Sequence, residues 1–77
     1  MELMRITFDR EANIAYFQFS ANKSRLRRTI ELEGHGLRGD LLLDVDEQGR
    51  IVGLEVTGAS QVLPNEILSE ARRLPPG

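Results

Sequence analysis

Residues 44 to 55, DVDEQGRIVGLE, carry the densest chemistry in the chain. Counted from Asp44, the stretch has Asp46 third, Gln48 fifth, Gly49 sixth and Glu55 twelfth. That is close to the ligand spacing of an EF-hand calcium loop, in which carboxylates converge on one ion and a glycine makes the sharp turn. A second candidate is His35, the single histidine, set between Gly34 and Gly36 where an imidazole could meet a substrate. Ser20, Ser24, Ser60 and Ser69 could supply a nucleophile, but none sits in a G-x-S-x-G turn. A third candidate is the basic run Lys23, Arg25, Arg27 and Arg28. With Tyr16 or Phe17 to stack on a base, it has the minimal outfit of a single-strand nucleic-acid binder. No glycine-rich stretch followed by Lys-Ser or Lys-Thr opens a helix, so a phosphate loop is absent, and one histidine excludes a multi-histidine metal site.

Whether any of these can act depends on the elements that hold them. An EF-hand needs a helix on each side of its loop. Upstream of Asp44 lies GHGLRGDLLL, with three glycines, and downstream Val52, Leu54 and Val56 alternate with period two. Both flanks read as strands, so the stretch is a β-hairpin. Placing Leu41, Leu43 and Val45 on one face with Val52 and Leu54 pairs 45 with 50, 43 with 52 and 41 with 54, leaving a four-residue loop from Asp46 to Gly49. Glu55 then lies roughly 13 Å along the ladder from Asp44, too far to share an ion. A weak exposed acidic site at Asp44, Asp46 and Glu47 stays open as a lesser reading, beside a solvated strand end.

The remaining pattern supplies the rest of a sheet. LMRITF at 3 to 8 and IAYFQF at 14 to 19 form a first hairpin around the turn residues Asp9 and Asn13. LRRTIEL at 26 to 32 alternates as a third strand, with Arg28 on its apolar side at the strand end. LLLDVD at 41 to 46 and RIVGLEV at 50 to 56 are the fourth and fifth. From Pro64 the period changes: Ile67, Leu68, Ala71 and Leu74 repeat at helical spacing, with acids early and arginines late. The expected architecture is α+β: a small antiparallel sheet of about five strands with a C-terminal amphipathic helix on one face, in a single domain over residues 1 to 77.

Composition narrows the function classes. At 77 residues the chain buries a modest fraction of its surface, so self-association is expected. The absence of cysteine removes disulfides and thiolate chemistry and suits a reducing compartment, so the cytoplasm is the expected location. No apolar run is long enough to span a bilayer, and MELMRITFD lacks the pattern of a signal peptide. The net charge of -2 and pI near 5.3 give no global attraction for nucleic acid.

The stretches ITFDREANIAYFQF and LDVDEQGRIVGLEVTGASQVLP resemble a family of short prokaryotic proteins catalogued as a domain of unknown function, DUF2283. The resemblance covers most of the chain. It implies a compact antiparallel sheet with a helix, and no activity, cofactor or catalytic residue. Some such proteins sit beside toxin-like partners, so the resemblance also implies an antitoxin-like or accessory role. Asn13, Phe17, Phe19 and GHGLRGD depart from the family pattern.

The expectation is therefore a non-enzymatic protein-interaction module, a homodimer that also binds another protein, without cofactor or membrane. Its interface is expected on the partly apolar second sheet face, at Ile14, Tyr16, Leu42 and Ile51. The alternative is a nucleic-acid binder using Lys23, Arg25 and Arg27; a small hydrolase near His35 and the weak calcium site stand behind it.

Overall fold

A computed structural model describes residues 5–20, 26–34 and 36–73. Five antiparallel strands follow the expected order: β1 (Arg5–Asp9), β2 (Ile14–Gln18), β3 (Leu26–Leu32), β4 (Leu41–Asp46) and β5 (Ile51–Thr57). Two short helices follow, α1 (Ala59–Val62) and α2 (Asn65–Glu70), and then a two-residue strand, β6 (Arg72–Arg73). The sheet order is β3-β4-β5-β2-β1-β6, so the β1–β2 hairpin and the β3–β4–β5 meander meet along β2 and β5. This is the small α+β fold anticipated from the alternation.

The turns form where local chemistry favours them. Between β1 and β2, Asp9 Oδ1 accepts from the backbone N–H groups of Glu11 and Ala12, and Asn13 takes a left-handed φ of 59°. Asparagine tolerates that region better than most residues. Its side chain then serves a second element: Asn13 Oδ1 accepts from Ser60 N at 3.0 Å, and Asn13 Nδ2 donates to Ser60 Oγ at 2.9 Å. The N-cap of α1, Gly58, has no side chain to offer, so a residue from a distant turn caps the helix instead.

The β4–β5 hairpin is present, but its register corrects the expectation. The pairs are 41 with 56, 43 with 54, 44 with 53 and 45 with 51, two residues away from the expected alignment over most of the ladder. Asp46 N donates to Arg50 O and Gly49 N to Asp46 O, so the loop is Glu47 to Gly49, three residues rather than four. Gly49, at φ 80°, closes it in the left-handed region. The register shift between Asp44 and Val45 leaves Val52 as the extra residue of a β-bulge. An odd loop alone would turn Leu54 and Val56 away from the core, and the bulge turns them back. The faces are those expected from the alternation; the three-residue loop and the bulge are not.

One face of the sheet is the core. Phe8, Ala15, Val56, Ala59, Leu68 and Ala71 form its buried cluster, with Ile6, Phe17, Leu41, Leu54, Val62 and Leu63 packed against it. Ala15 and Ala59 are fully buried, small residues where the helical segment lies close to the strands. The single C-terminal helix expected to run on through Ala71 and Leu74 is instead broken by the extended Leu63 and Pro64, and stops at Glu70. Ala71 turns extended, and Arg72 and Arg73 pair parallel to Thr7 and Phe8. The edge of β1 offers these residues ladder hydrogen bonds that compete with another helical turn. Leu74 lies outside the described residues.

Candidate functional site

The second sheet face carries the polar chemistry, and the register assigns its rows. Thr7, Tyr16, Glu55, Leu42 and Glu31 lie side by side across β1, β2, β5, β4 and β3. Arg5, Gln18, Gly53, Asp44 and Thr29 form the next row, and Asp9, Ile14 and Thr57 a shorter one. The helices pack on the opposite face.

At the centre, Tyr16 leans out of its own row across Gly53. Its hydroxyl donates to Asp44 Oδ2 at 2.6 Å, while Thr29 Oγ1 donates to Asp44 Oδ1 at 2.9 Å. Three strands are thus tied through one carboxylate. Gly53 is what permits it: a Cβ there would collide with the Tyr16 hydroxyl and come 2.6 Å from Cζ of the ring. A glycine inside a strand pattern signals such a close approach, with the aromatic ring covering backbone that has no side chain of its own.

Burial pushes the Tyr16 phenol up to about 12, reinforced by the hydrogen bond to Asp44 and by the negative charges of Asp44 and Glu55. At neutral pH the phenol is therefore a fixed hydrogen-bond donor, not a base or a nucleophile. Asp44 has two of its roughly four lone-pair sites occupied by the hydroxyls and retains acceptor capacity for a cationic donor. Glu31, Asp44 and Glu55 give the face a negative excess over Arg5, and Ile14 and Leu42 add half-buried apolar surface.

Ile14, Tyr16 and Leu42, expected as interface, fall on this face together. Ile51 lies elsewhere, opposite Val45 beyond the bulge and 49% exposed. Lys23, Arg25 and His35 lie outside the described residues; the backbone of Arg27 is in β3, at a register irregularity between Leu26 and Arg28. The acids of the calcium-like stretch have separate engagements. Asp44 holds Tyr16 and Thr29, whereas Asp46 Oδ1 accepts from Gln48 N and Arg50 N inside its own turn. The true register makes Asp44 and Glu55 diagonal neighbours, roughly 7–8 Å apart rather than the 13 Å expected. Strands, not helices, still flank the loop.

Thr29 and Gly53 were missing from the candidates drawn from sequence. Gly53 was findable as an isolated glycine between Val52 and Leu54, but Thr29 reaches Asp44 only through the β3–β4 register. A further group unites Glu31, Glu33 and Asp40, whose carboxylate oxygens lie within 4.8 Å of one another at the end of β3. Calcium takes six to eight oxygens, of which the exposed Glu31 and Glu33 and the half-buried Asp40 supply a part.

A family model described as a protein of unknown function, DUF2283, matches residues 5–60, a span that takes in all five antiparallel strands and the whole Tyr16–Asp44–Thr29 network. No curated protein and no solved structure matches the chain.

Proposed function

We propose that this chain, which belongs to the DUF2283 family of proteins of unknown function, is a non-enzymatic interaction module that holds a partner protein on its open sheet face. The observation that carries the reading is the Tyr16–Asp44–Thr29 network spread flat over Gly53. Its side chains are already ordered, so little conformational entropy is lost when a partner settles on them. The phenol is held protonated and the carboxylate is shared between two hydroxyls, which suits recognition better than proton transfer. Acids at Glu31, Asp44 and Glu55 beside Leu42 and Ile14 favour a partner segment that mixes basic and apolar residues.

The same charges argue against a polynucleotide on this face, because phosphates would meet carboxylates. An accessory or antitoxin-like role in the cytoplasm is the setting in which such a module would work. Among the described residues no helix is long and apolar enough to cross a membrane.

The test is a pull-down from the native host with the wild-type chain and with Leu42→Lys, which places a cation in the centre of the face. Proteins captured by the wild type and lost by the variant support the reading. Recovery of RNA or DNA in their place, released steeply as salt rises, overturns it.

A further inference from the structure

We propose that two copies of this chain pair antiparallel through the outer edges of β3, joining their sheets into one, a contact made by the strand's backbone beside the open face to which Thr29 and Glu31 belong. Among the described residues β3 is the last strand on its side of the sheet. An edge of this kind presents unpaired backbone donors and acceptors to any complementary strand. The core cluster built around Ala59, Leu68 and Ala71 takes in Leu41 and Leu54, but not Ile30, Leu32 or Leu43. Leu32 remains 38% exposed, at the rim of the apolar strip that Ile30 and Leu43 continue.

Charge selects the occupant. The start of β3 is basic, at Arg27 and Arg28; its end is acidic, at Glu31, Glu33 and the adjoining Asp40. A second copy laid antiparallel brings basic end to acidic end twice, and a parallel copy sets like against like. The two-fold then has few places to sit. Centred on Arg28 or Glu31 it would oppose identical charges, and centred on Leu32 it would oppose Glu31 to the partner's Glu33. Centred on Thr29 it would run through the irregularity between Leu26 and Arg28. Centred on Ile30 it uses the regular stretch from Arg28 to Leu32, with Ile30 against the partner's Ile30, Thr29 against the partner's Glu31 and Arg28 against the partner's Leu32. The apolar strip of Ile30, Leu32 and Leu43 becomes continuous across the joint.

This contact does not depend on the partner-binding reading, and its test leaves the open face untouched. Leu32→Arg sets a guanidinium directly opposite the partner's Arg28, while Leu32→Arg with Arg28→Glu restores opposite charges across the joint. Within one strand, positions 28 and 32 are too far apart to meet, so rescue can come only through the second copy. Sedimentation equilibrium should give the wild type a mass twice 8.7 kDa. The single variant should associate about tenfold more weakly or worse, and the double variant should recover. Circular dichroism of all three chains reports whether they stay folded. A monomeric wild type, an assembly larger than two, an unaffected single variant, or a folded double variant that remains monomeric would each overturn the assignment.

Discussion

Tyr16 is the chain's one tyrosine, and there is no tryptophan, so its ionisation can be followed directly by ultraviolet absorbance. Folding raises its pKa from 10.0 to about 12, which fixes the sign of its effect on stability. Below pH 10 both folded and unfolded chains hold the proton and the network's contribution is fully present. Between 10 and about 12 the unfolded chain releases its proton first, so stability falls as pH rises through that window. In Asp44→Asn the midpoint should drop yet stay above 10, because burial, the larger cause, persists. Gly53 is the complementary residue. Gly53→Ala forces a methyl group into the space under the Tyr16 ring and should cost about 2 kcal/mol in urea unfolding. In a Tyr16→Ala background most of that cost should vanish, since the two changes share one contact.

At the scale of the element, the turns are where the chain commits its direction. Nothing lies within 4 Å of a Cβ placed on Gly49, so Gly49→Val tests backbone conformation alone. It should destabilise by about 1–2 kcal/mol, read from the thermal midpoint. Asn13→Ala removes two side-chain hydrogen bonds to Ser60 and leaves a left-handed alanine. A loss of about 2 kcal/mol is expected, whereas Asn13→Gly should lose only the part owed to the cap. Five strands, the first hairpin's turn residues and the glycine closing the second were legible as alternation and turn chemistry. Register was less so: period-two patterning fixes which face a residue takes, and a bulge at Val52 plus a shorter loop satisfy it as well as the regular ladder does. The early end of α2 was hidden because it reflects β1's need for a ladder partner at Thr7 and Phe8, a tertiary demand absent from the local sequence. The candidate site was half legible: Tyr16 and Leu42 show as apolar residues on the wrong face, but the bonds from Tyr16 and Thr29 to Asp44 span 28 and 15 residues.

Over the whole molecule, the balance is set by a small core on one side of a broad sheet. Among the described residues the fully buried members are mostly alanines, with Val56 the largest side chain below 2% exposure. Such an interior yields a thin margin, and pairing through β3 would supplement it. Mass action then predicts that the thermal midpoint rises with protein concentration in calorimetry, and that Leu32→Arg flattens the dependence. A constant midpoint in the wild type would count against any stabilising dimer.

The sheet order also shapes how the chain reaches its structure. The β1–β2 hairpin and the β3–β4–β5 meander each close over short stretches, but the two halves join only where Ile14–Gln18 lies against residues 53 to 57. That seam pairs residues about forty apart in the chain, the most distant antiparallel pairing in the sheet, and pairings of that range are the ones that slow folding most. Until it zips, β2 and β5 each keep a bare edge, and a ribosome still holding β5 would expose the first hairpin to chaperones or to another nascent copy.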